Sequence, residues 1–245
     1  MRKTPVTVYD LETVPDLAAV ARIHGLEGRP EGDVLAALGD GFPKPMLHSI
    51  ACIGALNAAW MEGHWQVTSL GAPHIGQRSE GELIASFIGM INKDTPTLVS
   101  FNGSGFDLPV LRYRAMVHGV AAPGLLRRNY FHRFGDSSVD LCDVLSSYGA
   151  STKVKLDELA RTLGIPGKPD GMDGSQVGAY VRAGRIGEVA AYCESDVVIT
   201  YRVWLRHEVF RGELSPEALA QSEAQLESML ERRRVRHVSG DSVPN

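Results

Sequence analysis

Long apolar runs are missing from this chain. No stretch approaches the ~20 apolar residues that a membrane span needs, and the positively charged start Met1-Arg2-Lys3-Thr4-Pro5 is followed by no apolar core of a secretory signal. A cytoplasmic protein without membrane contact is the expectation. Cysteine is scarce: Cys52, Cys142 and Cys193 stand far apart in sequence, with neither zinc-ligand spacing nor a disulfide framework, as buried thiols in a reducing compartment would. Positive charge is not in excess. A formal net charge of -4 and a pI near 6.1 argue against a protein that coats nucleic acid nonspecifically. The histidines are scattered and none has the spacing of a ligand pair. Gly103-Ser104-Gly105 lacks the third glycine of a dinucleotide fingerprint, with Leu108 in its place, and no phosphate-loop Lys-Ser/Thr follows.

What is present fits a folded α/β chain. At 245 residues, 44% hydrophobic and 22% charged, it can bury one substantial core, and nothing in it reads as disorder or a repeat. Residues 6–10 read as a strand, followed by strands near 49–57 and 64–70, a helix from Ser79 to Ile91, a strand at 97–101 and a helix from Leu108 to His118. Further helices are expected near 140–148 and 155–163, then a long one ending near Arg211. Two hairpin-like strands after the first suit a mixed sheet flanked by helices. The organisation expected is one domain over 1–211, with a glycine-interrupted insert or flap at 13–48. Residues 212–245 add a helix opened by Ser215-Pro216-Glu217 and a frayed basic tail packed on the same domain.

Three short acidic segments carry the chemistry. Asp10 and Glu12 close the first strand, where alternation turns both carboxylates to one side. Asp107 follows a strand and the glycine-bearing turn Asn102–Gly105, and opens a helix before Leu108-Pro109; taken alone it reads best as an N-cap. Tyr192 and Asp196 are four apart on a mostly apolar helix, so they share a face. Each segment alone has an ordinary structural explanation, but the ordered set does not arise readily by chance. Four carboxylates gathered at one place would raise one another's pKa unless cations neutralised them, and oxygen-rich sites hold Mg²⁺ or Mn²⁺.

With Asp10-x-Glu12, then Asn102 to Asp107, then Tyr192 four before Asp196, the chain resembles the DEDD 3′→5′ exonuclease superfamily. Its histidine branch has a His five before the last Asp, where Ala191 stands here, so the resemblance is to the tyrosine (DEDDy) branch. More narrowly, it is similar to predicted exonucleases related to the proofreading domain of family B DNA polymerases. That likeness rests on Pro43-Lys44-Pro45, on Tyr130-Phe131-His132-Arg133 leading to Val139-Asp140-Leu141, on Lys155-Leu156-Asp157-Glu158-Leu159 and on Met172-Asp173-Gly174-Ser175. It covers roughly positions 4 to 207.

The resemblance implies a ribonuclease-H-like fold and two-metal hydrolysis of the terminal phosphodiester, releasing nucleoside 5′-monophosphates. Asp10 would bridge two divalent ions, Mg²⁺ or Mn²⁺; Glu12 and Asp196 would complete the nucleophile-side site and Asp107 would hold the second ion. Tyr192 would orient the attacking water. Leu11, Asn102 and Phe106, beside the ligands, are expected at the terminal base and sugar. Arg127, Arg128 and Arg133, interleaved with Tyr130, have a composition suited to phosphate neutralisation and base stacking. Arg232, Arg233, Arg234, Arg236 and His237 read instead as a solvated helix end. The partner expected is a nucleic acid with a free 3′ end, single-stranded DNA first, in DNA repair. An exoribonuclease acting on short RNA and a non-catalytic, nucleic-acid-binding proofreading-accessory module are the alternatives. Leu219, Leu226 and Leu230 form a stripe that packs on the domain, on a second copy or on a repair or replication partner.

Overall fold

The computed structural model describes residues 3–39, 41–167 and 172–239, with only the backbone of 236–239; the tail expected to fray lies, from residue 240 on, outside the described residues. The chain runs β1 (Val6–Pro15), α1 (Leu17–His24), α2 (Glu31–Ala36), β2 (His48–Met61), β3 (His64–Gly71), α3 (Glu80–Asp94), β4 (Thr97–Ser100) and α4 (Asp107–Val117). It continues through α5 (Pro123–Arg127), β5 (Ser138–Asp140), α6 (Leu141–Leu145), α7 (Leu156–Thr162), α8 (Val177–Arg182), α9 (Ile186–Phe210) and α10 (Pro216–Ser239).

The strands form one sheet in the order β3-β2-β1-β4-β5. β1–β2 and β2–β3 are antiparallel and β1–β4 and β4–β5 parallel, the mixed sheet of a ribonuclease-H-like α/β fold. Period-two alternation splits β1 between two cores. Val6 and Val8 join the apolar layer of α9, α7 and α10, while Tyr9 and Leu11 join that of α3 and α4. Asp10 and Glu12 share the parity of Val6 and Val8.

β4 pairs with β1 only over Val6–Val8, so β1 projects past its parallel neighbour, and a bulge shifts the β2 register between Glu12 and Thr13. α9 closes on this end of the sheet opposite Gly54, the β2 partner of Asp10. A Cβ there would stand 2.7 Å from Cys193 Sγ and 2.9 Å from Val197 Cγ2, so only glycine permits the approach.

The outer edge is managed by α10. Ser222 Oγ and Gln225 Oε1 accept from the Trp65 and Val67 N–H groups at 3.0 and 2.9 Å, and the Gln225 amide donates to Val67 O at 3.2 Å. Side chains thus satisfy the backbone groups that the edge strand β3 would otherwise present to water. The leucine stripe is spent within the chain: Leu226 is fully buried and Leu219 and Leu230 pack beside it.

Several elements differ from the sequence expectation. The helix read at 140–148 is instead the end of β5, then α6, then a turn in which Ser147 and Tyr148 have φ of 50° and 57°. The reason is Asp140, whose carboxylate accepts from the Asn102, Ser104 and Cys142 N–H groups at 2.7, 2.9 and 3.1 Å. That Asp starts α6 and ties β5 to the turn after β4. The described residues between 16 and 47 fold as α1, α2 and a 3-10 turn over their own small core of Val20, Ala21 and Val34.

Candidate active site

A cleft of about 540 Å³ opens where β1 outruns β4. Asp10, Glu12, Asp107, Tyr192 and Asp196 all line it. Glu12, Asp107 and Asp196 are buried, while Asp10 and Tyr192 are half-buried. Leu11, Asn102 and Phe106 line it as well.

Asp107 is not the N-cap of α4, the role it suggests when taken alone. Phe106 holds that position, and the Asp107 carboxylate accepts from the backbone N–H of Leu11 as well as its own. It therefore occupies backbone on the β1 edge that β4 has left, binding the second acidic segment to the first. Gly103 makes room: a Cβ there would lie 2.5 Å from Ser100 Oγ and 2.9 Å from Asp107 Oδ2. Asn102, with φ of 70°, has its side-chain carbonyl held by Lys153 Nζ at 3.1 Å.

The carboxylates strain against one another. Burial, then Asp10 and Asp196, push Glu12 well above the usual carboxylate range; burial, then Asp10 and Asp140, do the same to Asp107. Ligand atoms of Asp10, Glu12 and Cys193 lie within 4.8 Å of one another. Cys193 donates to Asp10 O at 3.5 Å, and burial first, then Cys52, raises its thiol pKa, so it acts as a neutral support beneath Asp10. Cys52 and Cys193, distant in sequence, are buried together as free thiols. The remaining donors are hard carboxylate oxygens, and like-charged carboxyls held this close are a set that Mg²⁺ or Mn²⁺ would relieve.

The basic-aromatic cluster is elsewhere. Tyr130 is a core residue whose hydroxyl donates to Pro96 O, so its ring is unavailable to stack on a base, and that expectation is corrected. Arg128 donates to Thr95 O at 2.6 Å, Arg133 pairs with Asp143 at 2.6 Å, and Arg127 is exposed; none of them lines the acidic cleft. At the other basic segment Arg233 is tied to Leu70 O and, at 2.8 Å, to Glu194. Sequence reading missed Phe42, His48 and Arg182, which do line the cleft. Phe42 adjoins the Pro43-Lys44-Pro45 segment and Arg182 follows Met172–Ser175, so proximity to the quoted motifs was the available signal; His48 had none.

Residues 40–240 match the family of predicted 3′–5′ exonucleases related to the exonuclease domain of PolB. The chain belongs to this family. No curated protein matches it significantly. Among solved structures, product-bound exonuclease I is 15% identical with a TM-score of 0.43, covering 82% of this chain and 47% of that one. Escherichia coli exonuclease I with a dA16 oligonucleotide is 14% identical (TM-score 0.40; 82% and 44% covered), and the zinc-bound form of its complex with single-stranded DNA is 14% identical (TM-score 0.42; 85% and 45% covered). The chain spans less than half of the length of these structures. Similarity this distant transfers no residue roles.

Proposed function

We propose that the chain is a metal-dependent 3′→5′ exonuclease that removes nucleoside 5′-monophosphates from single-stranded DNA. The observation that carries this reading is the convergence of Asp10, Glu12, Asp107 and Asp196 with Tyr192 on one cleft, in a chain belonging to a family of predicted exonucleases. The family's relation to a DNA polymerase supports DNA. A cleft of about 540 Å³ supports a single nucleotide end rather than a duplex.

Asp10, Glu12 and Asp196 would hold one divalent ion and Asp10 with Asp107 a second. Bound there, the ions supply a nucleophile at neutral pH and stabilise the departing oxygen. The chain's own residues do the rest. Tyr192, one helical turn from Asp196, directs its hydroxyl to the attacking water and orients it. With a reference pKa near ~10 it does so by hydrogen bonding rather than as the base. Water oxygen bonds to the terminal phosphorus as the bond to the 3′ oxygen breaks, and that oxygen leaves as a new 3′ hydroxyl. Asp107, bonded to the Leu11 N–H, keeps both sides of the cleft in register during the displacement. Leu11, Asn102 and Phe106 line the space for the terminal nucleoside.

The test is digestion of 5′-labelled single- and double-stranded DNA and RNA with Mg²⁺ or Mn²⁺, alongside Asp10→Ala. Stepwise shortening from the 3′ end of single-stranded DNA, with 5′-monophosphate products and no cleavage in chelator, is expected. Rapid degradation of a circular single strand would overturn it.

A further inference from the structure

The connection between β1 and β2 carries an aromatic ring to the cleft. Phe42 leaves 77% of its surface exposed although it is large and apolar, and it lines the cleft beside the carboxylates. It is nevertheless seated. Its centroid lies 5.3 Å from that of Phe106 and 5.1 Å from that of His48, and His48 meets Phe106 edge-on at 4.8 Å. His48 in turn is anchored at both ring nitrogens, Nδ1 2.9 Å from Thr13 Oγ1 and Nε2 3.1 Å from Pro43 O, so the ring group is fixed to β1 and to the segment that carries Phe42. Pro43 and Pro45 restrict that segment further. An apolar ring held in place yet open to a cleft is what an aromatic ligand face needs.

We propose that Phe42, seated against Phe106 and His48, is a stacking platform for the terminal base, so that the β1–β2 connection selects an unpaired 3′ nucleotide. This rests on the exonuclease reading. The carboxylates act on a phosphate and distinguish no base, whereas every base has a π-face to offer and a base still paired in a duplex is not free to turn onto the ring. Stacking therefore contributes to recognition of the end without sequence preference.

The experiment compares two 5′-labelled single-stranded DNA oligonucleotides, identical except that one ends in an ordinary nucleotide and the other in an abasic one. Mn²⁺-loaded wild type, Phe42→Ala and Phe42→Trp are measured on both. Phe42→Ala should lower kcat/KM about tenfold on the base-bearing end, within the range of a lost base–aromatic contact, and should match wild type on the abasic end. Phe42→Trp should restore the base-bearing rate. Equal losses on both ends, or no loss on either, would overturn the platform while leaving the exonuclease standing. Wild type that cleaves neither oligonucleotide would overturn the exonuclease reading, and this one with it.

Discussion

Two clusters of charge, separated by only three residues of chain between Glu12 and Asp16, treat the same residue types in opposite ways. In the cleft, Glu12 and Asp107 are driven up by burial and by neighbouring carboxylates. Around Arg114, burial likewise raises Asp16 and Glu80, but their partners outweigh it and hold both below the usual range. Arg114 reaches Asp16 Oδ2 at 2.5 Å, and Glu80 Oε1 and Oε2 at 2.7 and 2.5 Å. Glu80 also accepts from Ile50 N–H at 2.7 Å and meets His118 Nε2 at 2.9 Å. Asp16 caps α1 through Ala19 N–H at 2.9 Å. The second cluster is neutralised from within and fastens the insert, β2, α3 and α4 together; the first is arranged to be neutralised by something that arrives.

The comparison can be broken most strongly by removing a cleft carboxylate. Asp10→Ala or Asp196→Ala should abolish cleavage, and calorimetric titration should show Mn²⁺ binding largely lost. Unchanged Mn²⁺ binding would mean that the cleft is not a metal site. At the other cluster, Arg114→Met should leave the buried Asp16 and the half-buried Glu80 without their shared cation and destabilise the chain by about 3 kcal/mol in urea unfolding. Adding Asp16→Asn and Glu80→Gln should recover much of that loss; a silent Arg114→Met would show the network to be dispensable.

A smaller effect separates orientation from metal binding. Tyr192→Phe keeps the ring and should lower kcat by ~10²-fold while Mn²⁺ affinity and oligonucleotide binding survive. Wild-type single-turnover rates in that variant would remove the tyrosine from the mechanism.

The smallest effect is on stability against pH. Glu12 and Asp107, raised in the folded state, contribute stability that is full below the ordinary carboxylate pKa and is lost as pH rises through their folded values. Asp16 and Glu80, lowered, contribute stability present above the ordinary value and lost as pH falls through theirs. The metal-free chain should thus melt higher as pH falls from neutrality towards the ordinary carboxylate range, before the Arg114 cluster fails. Glu12→Gln should flatten that rise and Mn²⁺ should reverse it, as thermal melts across pH would record. A metal-free chain whose melting temperature rises with pH over that window would contradict the assignment.

Local pattern made much of this legible. Strand alternation was enough to put Asp10 and Glu12 on one side, helical spacing to pair Tyr192 with Asp196, and a strand-turn-helix pattern to locate Asp107 at the start of α4. Failures came where a side chain bonds to distant backbone. Asp140 cut an expected helix back to α6 by serving as strand end, cap and loop tie, and Asp107, which taken alone suggests a cap, sets its carboxylate against the Leu11 N–H. Composition misled at Tyr130, because an aromatic beside arginines reads alike on a surface and in a core.

By itself the sequence determined the order of the first four strands and of the longer helices, and the faces of Asp10, Glu12, Tyr192 and Asp196, because these depend on short-range periodicity and on residue chemistry. Only the tertiary structure decided that β1 outruns β4 to open the cleft, that Gly54 lets α9 close on Asp10, and that Phe42, from a connection with no strong pattern of its own, stands beside the carboxylates. Those outcomes depend on where chain segments far apart in sequence meet, and no local periodicity encodes that distance.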